Sequence, residues 1–367
     1  MCDYGMRLAR VMLVIAALFA ALLPATASAQ ASALTPNLTG QVLRVAVFGG
    51  AHQRNMHAEV APLFEKSGAR VEYTLGNPRD HLAKLISTRG RDAPFDVVIL
   101  DDAVQAEAIQ LGVLEALNPA DIPNMANLYP EAITHKGFGP AKNTVSVVIA
   151  YNSDKFKELG LPPPSTWDDL SNPKLAGRIA MPELSTMQGV YALVGLAKLS
   201  GGGVDNVKAG FEKLQNLKVL NYYRSSSDLE TKFAAGDVWA AAWVNGRVSA
   251  LQKAGQPVSF SDPKFGKQVG MVGFNTVDMV KGGRNKEAAK HYINLLLDAD
   301  VQIGFAKTMF YGPTNRLTSD KIAADSFLVG KFPYRSEGFQ KMVVLDWNAI
   351  NAQLPNWVDQ WNRTLRR

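Results

Sequence analysis

The chain has 367 residues, of which 47% are hydrophobic and 20% are charged, so its composition is that of a globular protein rather than a disordered one. Its formal net charge of +6 is dispersed along the sequence, without the Lys/Arg blocks or basic-aromatic interleaving that nucleic-acid binders use. The length indicates two lobes rather than one core.

The N-terminal segment has the three parts of a secretory signal peptide. Arg7 and Arg10 supply a basic region, residues 11–23 form an uninterrupted apolar run, and the Ala-Ser-Ala tripeptide at 27–29 matches the cleavage rule. We therefore predict that residues 1–29 are a signal peptide and that the mature protein is exported to the periplasm. The alternative is an uncleaved anchor, although the apolar run is too short to span a bilayer as a stable helix.

The only cysteine, Cys2, lies within the predicted signal peptide and does not follow the apolar run, so it is not a lipoprotein acceptor. Cleavage would leave a chain with no disulfide, no thiolate nucleophile and no cysteine metal ligand. Such a chain is safe in an oxidising compartment.

Predicted strands and helices alternate in the first part of the mature chain. Strands at 42–48, 70–74 and 95–100 are each followed by a segment with helical spacing of apolar residues, at 53–67, 82–86 and 103–111. This alternation is typical of a parallel sheet with helices on both faces. Three prolines at 119, 123 and 130 then mark an irregular passage.

A second set of elements begins with the apolar strand at 145–151. Helices are predicted at 187–199, 209–217, 228–235 and 246–254, with strands at 218–223 and 239–244, an alternating segment at 269–280, and an amphipathic helix at 286–297. The chain crosses between lobes near 143–147 and near 270–276, which predicts a hinge. The predicted domains are a first lobe at 30–144, a second lobe at 145–272, a return to the first lobe at 273–316, and C-terminal helices at 317–367 that pack on the second lobe.

Residues 151–182 carry the most specific pattern. A Tyr-Asn pair ends a strand and is followed by a short basic helix, a triple proline at 162–164, the run Thr-Trp-Asp-Asp-Leu at 166–170, and Asn-Pro-Lys at 172–174. This order resembles the start of the second lobe in bacterial periplasmic solute-binding proteins of ABC importers, of the spermidine/putrescine-type branch. Further matching segments lie at 95–98, 236–246, 263–266, 285–290 and 311–315.

The resemblance implies a two-lobed α/β fold, the type II periplasmic binding protein fold. Each lobe would be a mostly parallel sheet flanked by helices, and the ligand would lie in the interlobe cleft. The implied function is that of a receptor, not an enzyme, which delivers a small polar or zwitterionic solute to the membrane permease of an ABC importer. We expect a monomer with no cofactor, no metal and no nucleic-acid partner.

Candidate ligand-binding residues lie at predicted strand ends, because ligands of open α/β sheets lie beyond the carboxyl ends of the strands. They are Gly49, Gly50 and His52 after the first strand, Asp101 and Asp102 after the third, Ser185, Thr186 and Ser226 before two second-lobe helices, and Asn245 and Arg247 after the last second-lobe strand. The resemblance adds Trp243, matched to the family's stacking tryptophan, and Asn275 and Tyr311.

Each of these groups has a structural alternative. The glycines could serve a tight turn, and the hydroxyl and carboxylate groups could cap helices. Trp243 could lie in the core, and Arg247 could be solvated on a helix surface. Free helix N–H groups beside Ser185 and Thr186 would instead suit a carboxylate or phosphate group of a ligand.

The family's polyamine-binding acids map to three positions that lack a carboxylate here, Thr186, Gly189 and Asn275, and one stacking aromatic maps to Gly273. Polyamine binders need carboxylates for ammonium groups and aromatic walls for the methylene chain. We therefore expect spermidine and putrescine to bind weakly.

The remaining charges favour a zwitterionic or anionic solute. Asp101 or Asp102 could hold one amine, and Arg247 or a helix N-terminus could hold one acidic group. A true polyamine binder and a sensor subunit that presents ligand to a membrane receptor remain alternatives.

A periplasmic enzyme is the alternative from another class. The five histidines are scattered at 52, 57, 81, 135 and 291, and neither an H-E-x-x-H helix nor a G-x-S-x-G elbow occurs. The sequence therefore predicts no catalytic residue.

Overall fold

One long strand, β4 (Ala141–Asn152), joins two halves of a ten-stranded sheet. The computed structural model describes residues 35–89 and 91–365, and the chain from Asn37 onward forms one unit. The predicted signal peptide and its cleavage site lie outside the described residues. None of the described helices is long and apolar enough to cross a membrane.

The first lobe is built on β1 (Val42–Val47), β2 (Arg70–Leu75) and β3 (Val97–Asp101), which pair in parallel in the order β2-β1-β3. The strand β11 (Val272–Met279) pairs antiparallel with both β3 and β4, and the short β12 (Gly312–Pro313) also pairs with β4. The predicted mostly parallel sheet is therefore present, with antiparallel strands added where the chain returns from the second lobe.

Helices cover both faces of this sheet. They are α1 (Ala51–Asn55), which continues through a π-helical turn (Met56–Val60) into α2 (Ala61–Glu65), then α3 (Pro78–Ser87), α4 (Asp102–Gln110), α10 (Lys286–Leu296) and α11 (Ala299–Met309). The predicted irregular passage consists of three short 3-10 helices that begin at Pro119, Pro123 and Pro130. Proline is favoured at these first helical positions because its missing N–H has no partner there in any case.

The second lobe continues the sheet in the order β4-β7-β5-β6, with β5 (Ile179–Pro182), β6 (Val219–Tyr223) and β7 (Ala240–Val244) parallel to one another. Its helices are α5 (Ser153–Glu158), α6 (Met187–Lys198), α7 (Lys208–Asn216), α8 (Ser226–Ala234) and α9 (Asn245–Lys253). Three short strands complete it, β8 (Val258–Ser261), β9 (Lys264–Phe265) and β10 (Gln268–Val269).

Gly195 lets α6 pack closely on the motif that identified this lobe. A Cβ atom at Gly195 would lie 2.1 Å from Cζ3 of Trp167, closer than any real contact between such atoms. Trp167 itself is fully buried, in the 3-10 helix Trp167–Ser171 that follows the triple proline. The Thr-Trp-Asp-Asp-Leu run is therefore the anchor of a hydrophobic core, and Thr166 with Asp169 forms its capping box.

The C-terminal segment differs from the prediction that it packs on the second lobe as a whole. It contains α12 (Ser319–Ala324), α13 (Ser336–Gln340) and α14 (Trp347–Thr364). Only α14 and the two residues Val343 and Leu345 just before it lie in the second-lobe core, and α14 also contacts α4 of the first lobe. The preceding part packs against first-lobe residues instead, because Ile322 and Phe332 form a cluster with the α11 side chains and Phe339 joins the first-lobe core.

Candidate functional site

A cleft of about 1080 Å³ lies between the two lobes, at the carboxyl ends of their parallel strands. Residues after β1, β2 and β3 line its first-lobe side, and residues after β5, β6 and β7 line its second-lobe side. Val145 of β4 and Asn275 of β11 line it where the chain crosses between lobes, and the first turns of α14 close it at one side. The predicted interlobe cleft is thus present.

The first-lobe wall carries three carboxylates and one arginine. Asp80 and Glu107 project from α3 and α4, and Asp101 is the N-cap of α4, where its Oδ1 accepts a hydrogen bond from the Val104 N–H at 2.8 Å. Arg79 donates to Glu107 Oε2 at 3.1 Å. Burial raises the pKa of Asp101 above its ordinary value, while the hydrogen bond from Val104 opposes that shift.

The second-lobe wall carries two arginines. Arg247 lies in the first turn of α9 and donates to Glu230 at 3.2 Å, and Arg224 follows β6 and pairs with Glu183. The two arginine side chains are 45% and 57% exposed, so their ion pairs are screened by water and contribute little to stability. Each guanidinium can therefore turn to an anionic group in the cleft at small cost.

Helix N-termini complete this wall. Thr186 is the N-cap of α6, and its Oγ1 accepts a hydrogen bond from the Gly189 N–H at 3.1 Å. Ser185 beside it is exposed, and Ser226 begins α8. Met187 and Val244 supply apolar surface on this wall, and Phe48 supplies it on the first-lobe wall.

Residues 60–326 match the family model described as bacterial extracellular solute-binding protein. The chain belongs to this family. The match includes the β2 and β3 ends of the first-lobe wall, all of the second-lobe wall, and both crossings between the lobes.

Curated relatives of this solute-binding protein carry two kinds of name. A gamma-aminobutyric acid-binding protein of Pseudomonas aeruginosa is 26% identical over 299 residues, which cover 76% of this chain and 78% of the relative. A spermidine/putrescine-binding periplasmic protein of Salmonella typhimurium is 25% identical over 301 residues, covering 78% and 83%.

Solved structures share the fold. An ABC transporter protein of Clostridium perfringens has a TM-score of 0.72 at 25% identity, covering 88% of this chain and 99% of that one. The binding protein AgtB of A. tumefaciens R10, in complex with agropinic acid, has a TM-score of 0.69 at 21% identity, covering 90% and 100%. The predicted two-lobed periplasmic binding protein fold is confirmed by this likeness.

The structure places seven of the predicted ligand-binding residues on the cleft wall, where their part in binding remains a prediction: Asp101, Ser185, Thr186, Ser226, Arg247, Asn275 and Tyr311. Six others do not line the cleft: Gly49, Gly50, His52, Asp102, Trp243 and Asn245.

Trp243 does not reach the cleft, and a stacking role for it is not supported. The side chain is fully buried, its ring stacks on Phe233 at a centroid distance of 5.6 Å, and its Nε1–H donates to Ser226 Oγ at 3.1 Å. Neighbouring residues of a strand point to opposite faces, and it is Val244 that lines the cleft. Trp243 belongs to the core, the alternative that the sequence left open.

Asn245 and Asp102 are buried, and they connect elements near the hinge. The Oδ1 of Asn245 accepts from the Ser146 N–H at 2.9 Å, and its Nδ2 donates to the Lys331 carbonyl at 2.8 Å. The Oδ2 of Asp102 accepts from the Phe274 N–H at 3.2 Å. Both side chains are occupied by the protein itself, so neither is available to a solute.

The glycine pair is exposed and does not line the cleft, and His52 is buried behind the first-lobe wall. Gly50 precedes α1 with a φ of 69°, which a side chain would disfavour, so the pair serves a turn. His52 is 2% exposed and packs on Phe48, whose ring centroid is 5.0 Å away. Phe48 and Ala51 line the cleft in their place.

Sequence reasoning missed Arg79, Arg224 and the first turn of α14. The two arginines follow β2 and β6, so the strand-end rule would have found them if it had been applied to every strand. No sequence signal pointed to α14, because Trp347 and the rest of its first turn reach the cleft through tertiary packing alone.

Proposed function

We propose that this solute-binding protein is the receptor of an ABC importer and that its solute is a small zwitterion with an acidic group and an amine. The observation that carries the proposal is the charge difference across the cleft. Among the described residues that line it, the second lobe contributes Arg224 and Arg247 and no carboxylate. The first lobe contributes Asp80, Asp101 and Glu107 against Arg79.

A zwitterion can satisfy both walls at once. Its acidic group would accept hydrogen bonds from Arg247 or Arg224 and from the N-terminus of α6, and its amine would lie toward Asp101. Binding both lobes would favour the closed form over the open one, because a ligand shifts an equilibrium toward the state that it contacts better. The name of the Pseudomonas aeruginosa relative, a gamma-aminobutyric acid binder, agrees with this chemistry.

A polyamine is the second candidate, and the three first-lobe carboxylates favour it. Against it, one end of an extended diamine would face the two second-lobe arginines. In both cases we expect the mature chain to act in the periplasm as a monomer that presents solute to a permease, without cofactor or metal. A sensor that presents the same solute to a membrane receptor would share this cleft.

Calorimetric titration of the mature protein tests the proposal. We expect gamma-aminobutyrate or a related amino-carboxylate to bind more tightly than spermidine. Arg247→Gln should weaken amino-carboxylate binding by about 10- to 100-fold, the loss of one charged hydrogen bond. Arg178→Gln is the matched control, because Arg178 is an exposed second-lobe arginine that stacks on Trp239 outside the cleft.

Two results would contradict the proposal. One is sub-micromolar spermidine binding together with no detectable amino-carboxylate binding, which would favour a polyamine as the solute. The other is an amino-carboxylate affinity that Arg247→Gln and Arg224→Gln both leave unchanged.

A further inference from the structure

A buried lysine lies behind the first-lobe wall of the cleft. Lys142, the second residue of strand β4, is 3% exposed. Its Nζ donates to Asn143 Oδ1 at 2.7 Å and lies 4.9 Å from the centroid of the Phe305 ring. It forms no ion pair with any described carboxylate. A buried ammonium group without a countercharge costs several kcal/mol, so the protein would be expected to neutralise this one.

Two further polar side chains beside Lys142 are buried with donor atoms that lack a well-formed hydrogen bond. They are the imidazole of His52, whose one polar contact is a weak hydrogen bond with the Phe48 backbone, and Nδ2 of Asn143, which has no partner among the described residues. His52 and Asn143 are 2% and 3% exposed. Buried polar side chains are nearly always hydrogen-bonded, so several in one place indicate a binding partner outside the protein chain.

The chemistry of the cluster favours an anion. An ammonium, an amide NH2 and an imidazole N–H are all donors, and no described carboxylate contributes to the pKa shift of Lys142, whose only cause is burial. Phe305 of α11 closes the other side, 6.0 Å from the His52 ring. Burial lowers the pKa of Lys142 to about 7 and lowers that of His52 well below its ordinary value, with the Lys142 charge second. Both shifts are what two donors without a counterion would show.

We propose that Lys142, His52 and Asn143 form a second binding site, for one small monovalent anion, behind the first-lobe wall. As a site for an inorganic anion it is independent of the proposed function, whereas as a site for a carboxylate of the solute it requires that the solute carry one. Its occupant is either a free inorganic anion such as chloride or a carboxylate group of the solute itself.

Phe48 is the connection between this site and the cleft. Its ring lines the cleft on one side and contacts His52 on the other. The two residues that follow it, Gly49 and Gly50, are exposed, and a Cβ atom at either would meet nothing within 4 Å. A glycine pair in open space lets the Phe48 backbone change conformation at small cost, which gives an anion a path past the ring.

Thermal unfolding in chloride and in gluconate at constant ionic strength tests the site. We expect chloride to raise the Tm of the wild type by a few degrees and then to saturate, because it binds the folded state. Lys142→Met should abolish this chloride dependence. Lys157→Met, at an exposed lysine of α5, is the matched control and should retain it.

Crystals of the wild type grown in bromide provide a test that does not require the variant to fold. We expect an anomalous peak within hydrogen-bonding distance of Lys142 Nζ and the Asn143 amide. Equal chloride dependence in the wild type and Lys142→Met, or crystals without such a peak, would show that only water occupies the cluster and would overturn the proposal.

Competition identifies the source of the anion. If chloride weakens solute binding in the wild type and not in Lys142→Met, the carboxylate of the solute enters this site past Phe48. If chloride and solute bind independently, the site holds a resident inorganic anion. Either result supports the site, and only the first requires that the solute carry a carboxylate.

Discussion

The carboxylate of Asp102 should make the stability of this protein strongly dependent on pH. Asp102 is 3% exposed at the start of α4, where it accepts the backbone N–H of Phe274 in the crossing strand β11. Burial, followed by the charge of Asp101, raises the pKa of Asp102 to about 8 from its ordinary 3.8. Tyr191 and Trp347 lie against the same carboxylate.

The direction of this pH dependence follows from proton binding. Between pH 4 and pH 8 the folded protein holds a proton on Asp102 that the unfolded chain has lost. The free energy of unfolding therefore decreases as the pH rises through this window, by about 1.4 kcal/mol per pH unit. Below pH 4 both states are protonated and the contribution is constant.

Asp102→Asn removes this titration and keeps an oxygen that can accept the Phe274 N–H. Urea unfolding at pH 5 and at pH 8 should show that the variant gains about 3–4 kcal/mol relative to the wild type between the two conditions. Asp154→Asn is the matched control, because Asp154 is exposed in the first turn of α5, and its curve should parallel the wild type. If the free energy of unfolding of Asp102→Asn changes with pH as the wild-type value does, the carboxylate is not held neutral and the argument from burial is refuted.

Two further predictions concern packing, and both are measured by urea unfolding. Trp243→Ala should lower the free energy of unfolding by about 3–5 kcal/mol and leave solute affinity unchanged. Trp239→Ala is the control and should lower it by less, because Trp239 is only half-buried. A stable Trp243→Ala variant that has lost solute affinity would show that Trp243 contacts the solute. Gly195→Ala should lower the free energy of unfolding by about 1–3 kcal/mol, because the new methyl group would clash with Trp167. Gly203→Ala should leave it nearly unchanged, because a Cβ atom there meets nothing within 4 Å.

Most strands of this fold could be predicted from the sequence because each apolar run ends at a residue that breaks it. The predicted strand at 42–48 corresponds to β1, and the one at 239–244 corresponds to β7. The short strands β8, β9 and β12 were not predicted, and β4, which was predicted at 145–151, extends over Ala141–Asn152. The first residues of β4 include Lys142 and Asn143, which are polar and yet buried. A rule based on apolar runs cannot recognise such residues as part of a strand.

The candidate site was harder to predict, because the side on which a residue lies depends on the register of the strand that carries it. Trp243 and Val244 are adjacent, and a shift of one residue decides which of them faces the cleft. Asp101 and Asp102 differ in the same way: the first lines the cleft, and the second is tied to β11. Composition and motif order contain no information on this alternation, so the family resemblance favoured Trp243, which the structure places in the core, and the strand-end rule could not separate Asp101 from Asp102.

Where β4 passes from the first lobe to the second, it changes strand partners within one continuous strand, and this is where we expect the predicted hinge to lie. Up to Ser146, β4 pairs with β11 of the first lobe, and from Val147 it pairs with β7 of the second. Asn245 accepts the Ser146 N–H at this change of partners and joins it to the segment at Lys331. Val145 lines the cleft one residue earlier, so we expect a solute that draws the lobes together to twist β4 at this change of partners, and we expect the hydrogen bonds of Asn245 to limit that twist.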